Sequence, residues 1–359
     1  MPSRGSNATT VAFRVDGNEA VGAGHLTRCR SLAEGLRRAG MRIGFVLGEP
    51  STAAAASLAD EGFAVAIVPC ASPAALDAAD AAATAGACAA WRASALVVDH
   101  YGADAAYFER LAAQGLVLGA IDDLGDRDLR QVRWILNQNL GARDVLYGGA
   151  RGRRLLLGPG YALLRPQFAE AHDSLARTFS ASDRRVLVTL GGNAPAALYC
   201  DALAALDGVE RPLSVRVVTG ASGAPDPGLV AAAGTSHHDT EVLGRVDRMS
   251  DEIAWADVAV TAGGSTCWEL LALGTPAAVV PLSRDQLPNV AALADHDLGV
   301  ALGDGLHDAA GAVGALLADP ARRRDMSARG QALVDGRGAD RAAAALLSSI
   351  DSEVHRAAA

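Results

Sequence analysis

Short apolar runs alternate with stretches of helical periodicity along almost the whole chain, and this alternation leaves few folds open. Candidate strands fall at 10–15, 42–47, 64–68, 95–99, 116–121, 134–137 and 155–157, and a second series at 185–190, 214–218, 241–243, 258–261, 277–281 and 300–302. Unbroken apolar runs of this length are typical of strands buried on both faces of a parallel sheet. The pattern predicts the α/β class, with two doubly wound domains and a cleft between them, and 359 residues agree with two domains. Expected boundaries are 1–165 and 166–338, with a helix at 339–359 packing back on the first domain. The link lies near 158–183, where Pro159, Gly160 and Pro166 punctuate a polar helix. In such sheets ligands bind at the carboxyl ends of the strands.

Composition removes whole classes of function. A formal charge of -9 with no basic block argues against a nucleic-acid surface. Five dispersed cysteines, Cys29, Cys70, Cys88, Cys200 and Cys267, make no Cys-x-x-Cys pair and read as reduced, buried thiols, and neither a metal nor another cofactor is expected. No apolar run is long enough to span a bilayer and the first ten residues do not read as a signal peptide, so a cytoplasmic protein without membrane insertion is expected. The Ala-rich part from 53 to 90 keeps helical spacing and reads as helices joined by short links.

The first chemical signal is the run from Phe13 to Cys29. A β-prone segment at 10–15 leads through Asp16, Gly22 and Gly24 to His25 and Arg28, and from Leu26 onward Leu26, Cys29, Leu32, Ala33 and Leu36 recur at helical spacing. Gly22 and Gly24 at such a junction permit close backbone approach, a plausible phosphate cradle with His25 at its mouth. The run lacks the third glycine of a dinucleotide fingerprint and the Gly-Lys-Ser/Thr of a P-loop.

Further polar residues follow strand ends: Asp99, His100 and Tyr101 after one, Asp122 after the next, and Gly191, Gly192 and Asn193 at the start of the second domain. An Asp at such a place also serves as a turn or cap residue. The densest series is Gly263-Gly264-Ser265-Thr266, Glu269, Gly274-x-Pro276 and Gln286-x-x-Asn289. It reads as a nucleotide-sugar site: donors of 263–266 toward a diphosphate, Glu269 toward ribose hydroxyls, and Gln286 and Asn289 one turn apart toward the same ligand. The alternative is a capped glycine turn in which Glu269 is a solvated first-turn carboxylate. His237-His238 reads as a polar loop.

These segments carry a resemblance. With Arg14-x-Asp16, Gly22-x-Gly24-His25-x-x-Arg28-Cys29, Asp99-His100-Tyr101, Asp122-Asp123, Asn137-x-Asn139, Gly158-Pro159 through Phe168, Gly191-Gly192 and Gly263 to Glu269, the chain from about 13 to 303 resembles the PseG/SpsG-like group. These are UDP-2,4-diacetamido-2,4,6-trideoxy-β-L-altropyranose hydrolases of pseudaminic acid biosynthesis, related to MurG. The resemblance implies two Rossmann-like domains of the GT-B type and hydrolysis of a UDP-sugar to UDP and free sugar, with His25 deprotonating water. Asp16 or Asp99 is expected to orient His25 or to bind sugar hydroxyls. Gly22, Gly24, Arg28, His100, Tyr101, Asp122, Gly191, Gly192 and Asn193 would meet the substrate, and Gly263, Gly264, Ser265, Thr266, Glu269, Gln286 and Asn289 would bind UDP. The family commonly carries an acidic residue just after the second Gly-Gly, whereas this chain reads Asn193-Ala194-Pro195, which leaves the sugar open. A glycosyltransferase needs the same kind of base for an acceptor hydroxyl and is the alternative, with a non-catalytic nucleotide-sugar binder as the third reading. Oligomeric state is not legible.

Overall fold

The computed structural model describes residues 9–17, 23–49, 51–69, 75–148, 152–192, 194–220, 224–303 and 305–357. The chain forms two units, 1–163 with 338–359, and 164–337.

The first unit opens with strand β1 (Thr10–Val15), helix α1 (Ala23–Arg38), β2 (Arg42–Gly48), α2 (Thr52–Asp60), β3 (Ala64–Val68), α3 (Ala78–Ala90) and β4 (Ala93–Asp99). It continues with α4 (Ala105–Ala112), β5 (Val117–Ile121), β6 (Trp134–Asn137) and β7 (Arg154–Leu157). All seven strands are parallel, in the order β3-β2-β1-β4-β5-β6-β7. β1, β5 and β6 are buried at every position, as strands covered on both faces must be. Arg14 stands inside that apolar run, fully buried, and its charge is met by Asp16 and Asp80.

Helix α1 covers one face of this sheet through Leu26, Cys29, Leu32, Ala33 and Leu36, the spacing seen in the sequence. It begins at Ala23, three residues before the apolar repeat suggested, so His25 lies within its first turn instead of ahead of it. Ridge positions three apart share a face, which sends His25 and Arg28 in one direction.

The second unit runs through α5 (Pro166–Ser174), β8 (Arg185–Thr189), α6 (Ala196–Leu206), β9 (Ser214–Val218), α7 (Pro227–Thr235), β10 (Asp239–Leu243), α8 (Met249–Trp255) and β11 (Val258–Ala262). Then come α9 (Thr266–Ala272), β12 (Ala277–Val280), α10 (Leu287–Asp295), β13 (Val300–Ala301), α11 (Ala309–Ala318) and α12 (Pro320–Leu333). Its six strands are parallel in the order β10-β9-β8-β11-β12-β13. Arg177 ties the segment before β8 to this unit, donating to the carbonyls of Leu273, Ala256 and Ile253. Burial among neutral acceptors lowers its guanidinium to about 10. The last helix, α13 (Gly338–Ala357), packs on α1 in the first unit, where Ala339, Ala342, Ala343 and Leu346 are buried in the same core. Gly338 is packed against the backbone of Ala162, where a Cβ would stand 2.3 Å from the carbonyl oxygen.

Strand order reverses between β1 and β4 in the first sheet and between β8 and β11 in the second. In sheets of this kind ligands bind at the carboxyl ends of the strands where the order reverses. The described residues at the ends of β1, β4, β8 and β11 therefore stand at the positions where such sheets bind ligands.

Candidate active site

Asp99 is the last residue of β4, paired with Val15 of β1, and is 1 % exposed. His25 Nδ1 lies 2.7 Å from its Oδ1. Arg28 reaches the same carboxylate with Nε at 2.7 Å and Nη2 at 2.6 Å. Burial alone raises a carboxyl group, but here the Arg28 charge and the His25 contact outweigh it and hold Asp99 well below the usual range. An ionised Asp99 only accepts, so His25 Nδ1 carries the hydrogen and the lone pair rests on Nε2. Nε2 has no partner among the described residues. This is the arrangement of an oriented general base.

Arg28 is shared. Its Nη1 and Nη2 also hold both oxygens of Asp123, each at 2.9 Å, so four of its five N–H groups go to two carboxylates. Burial raises Asp123 and Arg28 lowers it, with the lowering dominant. Tyr101 donates its hydroxyl to Asp123 at 2.8 Å, stands edge-on to the His25 ring with centroids 4.9 Å apart, and is 44 % exposed. Asn139 closes this side by donating to Asp123. The Cys29 thiol touches Asp99 at 3.5 Å, and burial raises it far above the range where a thiolate forms.

Asp16 takes another place than the one expected. It is fully buried, bound by Arg14, by the Gly48 N–H at 2.7 Å and by His100 Nε2 at 3.1 Å, and no contact among described residues joins it to His25. Arg14 is the reason: an arginine inside β1 must have a carboxylate within reach, and Asp16 is two residues on. His100 Nδ1 accepts the Gly102 N–H at 3.0 Å, so its hydrogen is on Nε2 and is given to Asp16. With 2 % exposure and both ring nitrogens used, His100 supports the loop that carries Tyr101 and offers nothing to a substrate. Asp122 is likewise spent, on Arg127, Tyr147 and the Gly125 N–H. Gly24 sits in the first turn of α1, while Gly22 and Asn193 lie outside the described residues.

In the second unit Gly191 has a φ of +98°, a conformation glycine adopts without strain. Tyr199 of α6 orders this turn: its hydroxyl meets the Leu190 N–H and the Gly191 carbonyl, and burial raises it to about 12. Gly192 faces Gly220, whose Cα hydrogen would be replaced at 3.1 Å from it by any side chain.

The turn after β11 shows why glycine stands at 263. A Cβ there would meet Val290 Cγ2 at 2.5 Å and Gln286 Cβ at 3.1 Å. Gly263 N–H is given to Val280 O and Gln286 Oε1, and Asn289 Nδ2 donates to Gly263 O at 3.0 Å. Gln286 and Asn289 thus clamp the loop, and the Gly263 N–H expected for a diphosphate is turned inward. Gly264 is open, with only Gln286 Nε2 at 3.9 Å, and Ser265 and Thr266 begin α9. Asn289 Oδ1 is buried without a partner among the described residues.

Glu269 is not the solvated carboxylate of the alternative reading. It is 8 % exposed and accepts from Arg165 Nη2 at 3.1 Å, and burial raises it despite the opposing arginine. Arg165 precedes Pro166 at the start of α5, and a lone arginine before a helix gives no sign of its partner 104 residues on. The sequence assigns no site role to Asp123, Arg165 or Tyr199, although Asp123 and Arg165 stand in segments that carry the resemblance.

His237 and His238 lie in the loop between α7 and β10. His238 is 4 % exposed, with Nδ1 accepting the Leu213 N–H and Nε2 facing Leu206 O at 2.8 Å. With Asp207 they form a cluster of metal-ligand types, but His238 has no lone pair left for an ion. Among the described cysteines, Cys29, Cys88 and Cys267 are buried and Cys200 is half-buried, all of them free; Cys70 lies outside the described residues. No helix among the described residues is long and apolar enough to cross a membrane.

Residues 188–305 match the model of the glycosyltransferase family 28 C-terminal domain. The spore coat polysaccharide biosynthesis protein SpsG of Bacillus subtilis is 27% identical over 224 residues, 58% of this chain and 65% of SpsG. An uncharacterised protein of Methanocaldococcus jannaschii is 27% identical over 133 residues and is matched over 27% of its length. The chain thus spans less than two thirds of these curated relatives. Among solved structures, Acinetobacter baumannii MurG superposes with a TM-score of 0.68 at 12% identity, covering 95% of this chain and 99% of MurG. A Streptomyces glycosyltransferase solved with thymidine diphosphate gives 0.60 at 13%, covering 92% and 98%. The fold is therefore GT-B-like, two parallel-sheet α/β units, and the second unit is glycosyltransferase-28-like.

Proposed function

We propose that the protein is an enzyme that hydrolyses a UDP-linked 2,4-diacetamido-2,4,6-trideoxyhexose to UDP and the free sugar, in nonulosonic (pseudaminic) acid-type sugar biosynthesis. The observation that carries the proposal is the His25–Asp99 pair, with the imidazole lone pair on a nitrogen that no described residue uses. In this reading Nε2 takes a proton from water as its oxygen bonds to the anomeric carbon. The anomeric C–O bond breaks and its electron pair leaves with UDP. Asp99 keeps the imidazole in the working tautomer and balances the imidazolium that forms. A base of this kind contributes roughly 10²–10⁴-fold. Tyr101, exposed beside the imidazole, is the residue of the first unit placed to meet a sugar hydroxyl. Nucleotide recognition falls to the second unit, to Gly264, Ser265, Thr266, Glu269 and Arg165, supported by the match over 188–305.

That same match supports a second reading, a glycosyltransferase in which His25 deprotonates an acceptor hydroxyl. Phosphorus and proton NMR of the protein with the UDP-linked sugar, without acceptor or metal, separates the two. Release of UDP with free sugar establishes the hydrolase. Binding that turns over only when an acceptor is added establishes the transferase, and binding without turnover under either condition leaves a nucleotide-sugar binder.

A further inference from the structure

The pairing of β4 with β5 ends at Val98 and Ala120. Tyr101 and Asp123 each stand three residues further on, where the ladder no longer sets the spacing of the two chains, yet the Tyr101 hydroxyl meets Asp123 at 2.8 Å and its ring stands 4.9 Å from that of His25 between centroids. Arg127 spans the gap. Its Nη1 donates to the His100 carbonyl at 2.7 Å and its Nη2 to the Ile121 carbonyl at 3.1 Å, one acceptor beyond the end of each strand pairing. Nε and Nη2 also reach Asp122 Oδ1, at 2.9 and 2.6 Å, and the other oxygen of Asp122 takes the Gly125 N–H and the Tyr147 hydroxyl. A planar fork with fixed N–H directions can serve these three acceptors at once, and a lysine ammonium, a single point of charge, cannot.

We infer that Arg127 is a positioning residue that sets the loop after β4 against the end of β5 and so holds Tyr101 between Asp123 and the His25 ring. No printed bond joins Arg127 to His25, Tyr101 or Asp123 themselves; it acts through the backbone on either side of them. The same loop is also tied by His100 Nε2 to Asp16 and by the Leu76 N–H to the Gly102 carbonyl, and neither of these ties reaches β5. Tyr101 is the residue of the first unit placed to meet a sugar hydroxyl, so Arg127 serves the sugar and not the nucleotide; that last step rests on the function proposed above.

The test is NMR of the intact protein carrying ring-labelled tyrosine, in which five tyrosines give few signals and Tyr101→Phe assigns the one that matters. His25→Gln removes the imidazole ring and marks the shift which that contact produces. Arg127→Lys keeps a cation for Asp122 but cannot span both carbonyls, and is expected to move the Tyr101 signal as His25→Gln does while Tyr107 and Tyr199 stay in place. Adding His25→Gln to Arg127→Lys should then move it no further. A Tyr101 signal at its wild-type position in Arg127→Lys overturns the inference, and so does equal movement of Tyr107 and Tyr199, which would make Arg127 a support of the fold at large. Should Arg127→Lys not fold, Arg127→Gln combined with Asp122→Asn strands no buried charge and is read in the same way. In turnover, Arg127→Lys is expected to lower kcat/KM by up to about 10²-fold with UDP affinity unchanged, and to lower it little further in a Tyr101→Phe background. The tyrosine signal needs no substrate. If no reaction is found, the proposed function falls while the NMR result still decides on Arg127.

Discussion

His25 Nδ1 and Asp99 Oδ1 meet at 2.7 Å, joining the first turn of α1 to the last residue of β4 across 74 positions of sequence. The contact exists because β1 and β4 are neighbours at the point where strand order reverses, so the helix that follows β1 begins beside the end of β4. Replacing His25 by Ala is expected to lower turnover roughly 10²–10⁴-fold while leaving UDP affinity unchanged, since the base acts on water and not on the nucleotide. Asp99→Asn should fall in the same range, because an amide can donate to Nδ1 and release the tautomer that keeps Nε2 basic. Single-turnover kinetics with calorimetric UDP titration checks both. A His25→Ala protein that turns over at the wild-type rate would remove His25 from the mechanism.

Arg14 is expected to be costly to disturb. Its guanidinium is fully buried between Asp16 and Asp80, and Asp80 also takes the Tyr107 hydroxyl at 2.8 Å. Removing one partner of a buried pair strands the other, at a cost of about 3–5 kcal/mol. Asp80→Ala should show this loss in urea denaturation, and a change below about 1 kcal/mol, the scale of a surface pair, would mean that Arg14 finds another acceptor.

Acid should unfold the first unit through a few named groups. Asp16, Asp99 and Asp123 are all held below the ordinary value of 3.8 by arginines or histidines that outweigh their burial. A carboxyl group depressed in the folded state adds stability that is present above its unfolded value and lost as pH falls toward the folded one. The contribution of these three groups is expected to hold steady above pH 5 and to drop steeply below pH 4. Glu269 has the opposite sign: raised by burial, it favours the fold most below its ordinary value of 4.5, and that contribution is lost as pH rises through its folded value. Glu269→Gln should therefore flatten the stability curve above pH 4.5, which thermal melts across the range would reveal.

Strands and α1 were legible because each is decided locally. Apolar runs such as 10–15 and 258–262 have no stable alternative to burial, and the repeat of Leu26, Cys29, Leu32, Ala33 and Leu36 fixes which face of α1 packs. The partners of buried charges were not legible. Asp16 and Asp99 both stand at the carboxyl ends of adjacent strands, and only the partners brought by the fold, Arg14 and Asp80 for one and Arg28 and His25 for the other, separate the structural pair from the site. Gln286 and Asn289 carry the same lesson. Their spacing shows that they share a side of one turn but not that this side is filled by the Gly263 backbone.

Glu269 and Arg165 should act on nucleotide as a unit. Burial makes the carboxylate expensive, and the arginine 3.1 Å away is the group that keeps it tolerable. If Glu269 accepts from ribose hydroxyls, Glu269→Ala is expected to weaken UDP binding by roughly 1–3 kcal/mol, the scale of a lost hydrogen bond to a charged group. Arg165→Ala should cost a comparable amount by leaving Glu269 buried, protonated and misplaced. Because each loss removes what the other residue needs, the double variant should fall short of the sum, with a coupling of about 0.5–3 kcal/mol. Isothermal titration of UDP into the four proteins gives that coupling directly. Additive losses would mean that the two residues reach the nucleotide independently, and unchanged affinity in Glu269→Ala would place the ribose elsewhere.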